Sequence, residues 1–497
     1  MLFNSIDFLI FFPVVTLLYF LLPHRVRWVW LLIASYYFYM CWNAKYALLM
    51  ALSTGITWAS GLLIRRAERV ENPVRRERLK KLWVALSFLL DLGILFFFKY
   101  FQFFLDNLSA AAALLGLTFR QPAFDVVLPV GISFYTFQAL SYTMDVYRGE
   151  IEPEGNPFRY ALFVSFFPQL VAGPIERSKN LLGQLRERHF FDPEQVRDGL
   201  LLMLWGLLEK VVIADRVAML VTAVYDGYAQ MPGSAVILAT VLFAVQIYCD
   251  FGGYSHIAIG AAQVMGFRLM ENFRQPYLAR SAGEFWRRWH ISLSTWFRDY
   301  LYIPLGGNRK GTGRKYLNLM ITFLTSGLWH GASWNYVVWG GLNGLYQVIG
   351  DVLKPMRERI CALLHISRES LVWRWVQRVC TFCLIDFSWL FFRASSLSAA
   401  AAMLRHTVTH FTPWGLGNGA LYTLGLAEPD FVVAMVSVAV LILADLLREK
   451  YGPLRPRLAA MPLPVRWCVY LLGLLALVIF GIYGPGYAES QFIYFQF

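Results

Sequence analysis

Charge is scarce in this chain, and its cysteines have no pattern. Asp, Glu, Lys and Arg make up only 15% of the 497 residues, where a soluble domain carries about a quarter. That shortage excludes an ordinary water-soluble globule. The six cysteines (Cys41, Cys249, Cys361, Cys380, Cys383, Cys468) lack the spacing of a disulfide framework. Cys380 and Cys383 form a CxxC, but inside the apolar run TFCLIDFSWLFF and without companions, which argues for packing rather than redox or metal chemistry. The opening residues, MLFNSIDFLIFFPVVTLLYFLL, have neither a basic start nor a small-residue cleavage site. They are expected to form a retained helix, not a removed signal peptide. No repeat, low-complexity tract or long linker interrupts the chain, so residues 1–497 are expected to form a single integral membrane domain, with the core motifs at 166–344.

What the chain has is apolar. Hydrophobic residues reach 58%, aromatics 17%, and mean hydropathy is +0.49. A membrane helix needs about 20 apolar residues. Runs that meet or approach this length lie near 5–22, 28–42, 46–64, 82–104, 125–146, 199–224, 235–251, 316–333, 334–352, 379–393, 430–447 and 467–484. Shorter or interrupted pieces lie near 159–173 and 254–267. The fold class expected is all-α and polytopic, with roughly 11 to 13 transmembrane or re-entrant helices.

The net charge of +13 is not spread over a soluble face, which excludes nucleic acid as the partner. It gathers in short segments: 24–27 (HRVR), 65–81 (RRAERVENPVRRERLKK), 308–315 (NRKGTGRK), 354–359 (KPMRER) and 448–457 (REKYGPLRPR). Placing them all in the cytoplasm puts both termini outside it. His330, about 22 Å along a helix from Lys315, then lies beyond the midplane towards the outer side.

Two stretches hold the candidate chemistry. In YLNLMITFLTSGLWH (316–330), Asn318, Thr322, Ser326 and His330 recur every four residues and form one polar stripe on an otherwise apolar helix. Intramembrane polar groups face a bundle interior or a wet cavity. Interhelical hydrogen bonding is the ordinary account of Asn318, Thr322 and Ser326. His330 reads as functional, because Gly327, Gly331, Ala332 and Ser333 strip bulk from around it, as the approach of a substrate would require. A neutral imidazole takes a proton from a hydroxyl; a protonated one returns it to a leaving group. No HxxxH or HExxH surrounds it, so no metal is expected.

The second stretch, EFWRRWHISLSTWFRDYL (284–301), reads as one amphipathic interfacial helix. His290 falls at the edge of its apolar face, near the inner surface. His290 and His330 are therefore expected at opposite ends of a route through the protein. Arg287, Arg288, Arg298, Arg309 and Lys310 offer positive charge at the inner mouth for phosphates, although a positive-inside anchor explains them equally well. Asp91, Lys99, Glu209, Lys210, Asp215, Asp250 and Asp386 interrupt apolar runs and are expected to pair within the bundle.

Assembled, these residues resemble the membrane-bound O-acyltransferase superfamily, and within it the bacterial branch that contains the membrane subunit of alginate O-acetyltransferase. The resemblance rests on FFPQLVAGPIERSKN (166–180), YCDFGGYSHIAIG (248–260), FWRRWHISLSTWFRDYLYIPLGGNR (285–309) and SGLWHGASWNYVVWGGLNG (326–344), and on the opening MLFNSIDFLIFF and closing FIYFQF. It implies helices around a central tunnel, His330 as the catalytic histidine of the WHG motif, and His290 as the family's second histidine. Trp329 and Asp250 join Asn318, Thr322 and Ser326 as expected lining. It also implies acyl transfer from a cytoplasmic thioester, acetyl-CoA in the acetyl-transferring branch, to an extracytoplasmic polysaccharide. An SGNH-hydrolase-like acetyltransferase is the expected partner, and the bacterial plasma membrane the expected location. The chain departs from many relatives, which read DFSGYSD, in having DFGGYSH: Gly252 and His256 stand where they have a serine and an acid. D-alanyl transfer from a carrier-protein thioester therefore stays open. So does the rival class, a glycan or solute transporter, although no inverted repeat is seen.

Overall fold

The computed structural model describes residues 1–117, 119, 128–171, 173–417, 419–483 and 493. Among them all regular structure is helical. Six helices are long and apolar enough to cross a membrane: Ala44–Ala67, Pro73–Leu114, Gly233–Val264, Leu371–Arg393, Glu428–Tyr451 and Leu463–Phe480. Ile6–Leu21 is apolar but shorter. The protein is thus an all-α, multi-pass membrane protein. The other expected passes fall on shorter or more polar helices, such as Thr312–His330 and Trp334–Val352. The expected piece at 254–267 is no separate element; it continues the 32-residue helix Gly233–Val264. The first part of the expected 125–146 run lies outside the described residues, as does most of the closing FIYFQF.

Contacts divide the chain into two compact units, Met1–Leu200 with Ala258–Met270, and Leu201–Ile257 with Glu271–Phe497. In the first, helix starts are set by local capping. Asn43, Asn72 and Asn156 each accept a bond from a first-turn backbone N–H, and Pro73 and Pro157 occupy positions where no N–H is needed. Buried polar groups pair with one another there. Ser53 donates to Asp91 at 2.5 Å, and Tyr160 donates to Thr57 at 2.8 Å. In the loop VAGPIERSKN, buried Glu176 accepts from the Met270 N–H at 2.5 Å and from Asn180 at 2.6 Å. That loop is thereby pinned to the segment following the long helix.

The second unit holds both motif histidines. Its tightest element is the hairpin of Thr312–His330 and Trp334–Val352. A Cβ on Gly327 would fall on the Tyr336 carbonyl, and one on Gly340 on the Phe323 carbonyl. Small residues here let two backbones touch. A third close crossing joins Gly206 to Gly253, where a Cβ on Gly253 would lie 2.6 Å from the Gly206 oxygen. Of the charges expected to pair, Lys210 lies 2.8 Å from both Asp215 and Asp250 and Glu209 lies 2.6 Å from His256, whereas Asp386 Oδ1 has no hydrogen-bond partner among the described residues.

Candidate active site

His330 is the last residue of its helix, and the chain leaves through Gly331 into extended backbone. The ring is 3% exposed. Aromatic rings box it: Trp339 stands edge-on at 4.9 Å, Phe392 at 5.4 Å and Trp329 at 4.9 Å between centroids. Asn335 ties this end of the hairpin to the Leu371–Arg393 helix by donating to the Phe391 and Ala394 carbonyls at 3.2 and 2.9 Å. Glycine does not open room for a substrate here, contrary to expectation. A Cβ on Gly331 would strike the Tyr336 ring, and Gly327 meets the Tyr336 backbone. The space the glycines leave is filled by the protein's own tyrosine.

His290 is not at the far end of a route. Its ring centroid lies 6.5 Å from that of His330 and 6.0 Å from that of Trp329. The reason is local. The expected single amphipathic helix is broken into Ala282–Arg288 and Ile291–Phe297, followed by a π-helical turn at Arg298–Tyr302. His290 sits at the break with φ +43°, in the left-handed region that strains any residue with a Cβ. The kink turns its side chain inward, and it is 0% exposed. Burial pushes the imidazole down to about 3, so it is neutral at physiological pH.

The hydrogen-bond partner of His290 is Asn272, which has no motif signal in the sequence. His290 Nδ1 lies 3.2 Å from Asn272 Oδ1. The same oxygen accepts from Ser292 Oγ at 2.9 Å and from the Ser292 N–H at 3.3 Å. Asn272 Nδ2 donates to Ser255 Oγ at 3.0 Å, and the Ser292 backbone N–H, which can only donate, identifies the other end of the amide as the oxygen. The Asn272 carbonyl also accepts the Ile291 N–H at 2.9 Å. The Phe251 ring stands edge-on to the imidazole at 4.6 Å.

Beside this box opens a cavity of about 720 Å³. Its floor is partly apolar, with Trp286, Leu293, Phe297, Leu319 and Phe323, and two members of the polar stripe, Thr322 and Ser326, face it. Ser326 is one helical turn before His330. Trp286 stands between cavity and box. Its ring is 5.5 Å from Trp339, and its indole N–H donates to Asn343 Oδ1 at 3.2 Å. Five cations line the cavity: Arg287, Arg298, Lys315, Lys354 and Arg357. One acid, Asp351, joins them, paired with Lys315 at 2.5 Å. Arg298 pairs with Asp299 at 2.8 Å. Among the described residues Arg287, Lys354 and Arg357 make no ion pair.

The remaining candidates are placed elsewhere. Arg288 is held by Glu284 at 2.6 Å and Glu449 at 2.8 Å. Arg309 and Lys310 sit in the exposed turn after Gly306. Asn318 is fully buried and donates to the Gly307 and Leu305 carbonyls, fastening that turn to the helix. Thr322 also bonds back to the Asn318 carbonyl at 2.7 Å. Asp250 accepts from Lys210 and from the Ile493 N–H, each at 2.8 Å. Of the two departures in DFGGYSH, Gly252 has room: a Cβ added there would meet nothing closer than 3.6 Å. His256 meets Glu209 at 2.6 Å, so an acid is present beside it from a neighbouring helix. Sequence reasoning misses Lys315, Lys354 and Arg357 as cavity residues. Their signal is the two basic segments 308–315 and 354–359, which serve equally as topology markers.

A buried histidine pair, boxed by indoles next to a cationic cavity in a polytopic helical chain, fits a membrane acyltransferase. The model of the family described as MBOAT, membrane-bound O-acyltransferase family, matches residues 154–392. A probable alginate O-acetylase AlgI of Pseudomonas putida is 38% identical over 100% of both chains. Another, of Pseudomonas aeruginosa, is 40% identical over 93% of this chain and 85% of its own. A peptidoglycan O-acetyltransferase of Helicobacter pylori is 32% identical over 87% of this chain and 83% of its own. This chain belongs to the membrane-bound O-acyltransferase family, in the alginate O-acetylase-like branch, and is an O-acetyltransferase.

Proposed function

We propose that the chain moves an acetyl group from cytoplasmic acetyl-CoA through a bacterial plasma membrane for O-acetylation of an extracytoplasmic polysaccharide, with His330 as general base. The observation that carries this is the cavity. Its cation-rich rim suits the phosphates of CoA, which favour charge-assisted partners, and its apolar depth approaches the histidine box to within one helical turn. Arg287, Lys354 and Arg357 would take the phosphates, and the thioester would pass Trp286 to reach the box. The basic segments that feed the rim agree with a cytoplasmic mouth and with termini outside the cytoplasm.

In the transfer, His330 takes the hydroxyl proton as the oxygen attacks the thioester carbonyl. The C–O bond forms, the C–S bond breaks, and the proton passes from His330 to the departing CoA thiolate. The neutral His290 lies beside it, its ring centroid 6.5 Å from that of His330, and would meet the same reacting groups. The hydroxyl belongs to a glycan or to a serine of an extracytoplasmic SGNH-hydrolase-like partner. The latter relay has a physical merit: CoA need not leave the cell. The names of the relatives, alginate O-acetylase and peptidoglycan O-acetyltransferase, support a polysaccharide as the final acceptor.

The test is His330→Ala and His330→Gln in membranes supplied with acetyl-labelled acetyl-CoA. Both are expected to abolish label in extracytoplasmic material at equal protein level. Normal labelling by either removes His330 from the chemistry. Labelling by the parent chain only from a carrier-protein thioester would replace acetyl-CoA as the donor.

A further inference from the structure

We propose that Asn272 is a positioning residue of the active site, holding His290 in the tautomer that carries its proton on Nδ1 and presents the Nε2 lone pair to the reactants. This rests on the functional reading above, in which His290 meets the reacting groups.

The argument starts from donors and acceptors. An amide oxygen only accepts, so a ring nitrogen 3.2 Å from Asn272 Oδ1 must be the protonated one. The amide cannot turn over without loss. Its Nδ2 donates to Ser255 Oγ, and its oxygen already receives the Ser292 hydroxyl and the Ser292 N–H. Of these the Ser292 N–H can only donate, and it would face an NH₂ group after a flip. The neutral imidazole has one donor and one acceptor, and with Nδ1 committed, Nε2 is the acceptor. The two nitrogens lie on different ring edges, so Nε2 faces away from Asn272. The backbone serves the same end. The Asn272 carbonyl holds the Ile291 N–H at 2.9 Å, on the residue after the strained His290. Arg274 N–H in turn donates to the Arg288 carbonyl at 2.8 Å. The segment around Asn272 therefore brackets the helix break and keeps the left-handed turn in place. Asn272 and Ser255 are themselves 1% exposed, so water does not compete for these bonds.

Outer-shell partners that orient metal-bound histidines are worth about 10–100-fold in activity, and the same scale is expected of an amide that orients a buried reacting histidine. Asn272→Leu in the full chain, in membranes with acetyl-labelled acetyl-CoA, is expected to lower kcat by about that factor with the donor KM changed by no more than about twofold. Asn272→Asp keeps an acceptor oxygen and is expected to recover most of the loss. In a His290→Gln background, Asn272→Leu should add nothing, because the residue it positions is gone. Full turnover by folded Asn272→Leu, an Asp variant no better than Leu, or a loss that multiplies with that of His290→Gln would each overturn the proposal. If Asn272→Leu does not accumulate as folded protein, Asn272→Ala, which removes the same acceptor oxygen with less bulk, decides by the same readout, and normal kcat in it overturns the proposal. His330→Ala separates the two readings: if it is fully active, the functional reading fails, whereas if it is dead and the Asn272 series is flat, only the positioning role fails.

Discussion

Two neighbouring regions meet at Trp286 and handle polarity in opposite ways. On one side, the cavity rim carries Arg287 and Arg357, which make no ion pair among the described residues, and Lys354, which shares the field of Asp351 without contacting it. On the other, the histidine box is buried, its rings within about 5–6.5 Å of one another and His290 held by a buried amide. A charge in the box would have to be desolvated, and a neutral base there avoids that cost. Charge at the rim stays hydrated until an anion arrives. The difference teaches where each kind of energy is used: long-range attraction at the rim, fixed geometry in the box. Adjacent residues display it most sharply. Arg287 lines the cavity, while Arg288, one position on, is closed in by Glu284 and Glu449.

If that division holds, substitutions on the two sides affect different kinetic constants. In the box, His330→Gln is expected to reduce kcat by about 10²–10⁴, the usual worth of a general base, with the donor KM nearly unchanged. Michaelis curves at equal protein level check it. A variant that mainly raised KM would erase the distinction between box and rim.

At the rim, Arg287→Ala is expected to raise the acetyl-CoA KM about tenfold, the loss of one hydrogen bond to a charged group, and to leave kcat alone. Added salt should raise the parent's KM and affect the variant less, since exposed charge is screened. Arg288→Ala should do the reverse. It leaves Glu284 and Glu449 facing each other across a half-buried gap, so thermal stability should fall by about 1–2 kcal/mol with the donor KM unchanged. If the two neighbours behave alike in titrations of KM and thermal midpoint, the comparison is broken.

How much of this could be read in the chain follows from where the information lies. Membrane class was legible because a lipid-spanning helix must be apolar along its length, and that signal is local. The Asn318–Thr322–Ser326 stripe was legible as a face, and two of its members do line the cavity. The meeting of His290 and His330 was not. A helical wheel assumes an unbroken 3.6-residue period, and the left-handed residue at 290 resets it. Nothing in RRWHIS announces the break, and the bonds that flank it, from the Ile291 N–H to the Asn272 carbonyl and from the Arg274 N–H to the Arg288 carbonyl, reach outside the motif. The glycines near His330 mislead for a similar reason. Sequence shows that bulk is missing, but only the packed hairpin shows that Tyr336 takes the space. Asn272, in NFRQPYL, has neither period nor motif, and its role exists only through residues distant from it in the chain.

The last expected effect is a pH dependence of stability rather than of rate, and it follows from the burial of His290. Its folded-state value lies at about 3, against about 6.5 in an unfolded chain. Between those two values the unfolded chain binds a proton that the folded one refuses. Stability therefore rises with pH across this window, and falls as pH is lowered from about 6.5 towards 3. At pH 5 the contribution is about 2 kcal/mol, at one and a half pH units below the unfolded value. His290→Gln removes the group from both states. The parent's thermal midpoint in detergent should thus drop more steeply between pH 7 and pH 5 than the variant's, by a few degrees at most. Carboxylates titrate in both proteins, so the difference between the two slopes is the quantity to read. Coincident slopes would mean that His290 takes a proton in the folded state, and the buried box would then be no different in kind from the exposed rim.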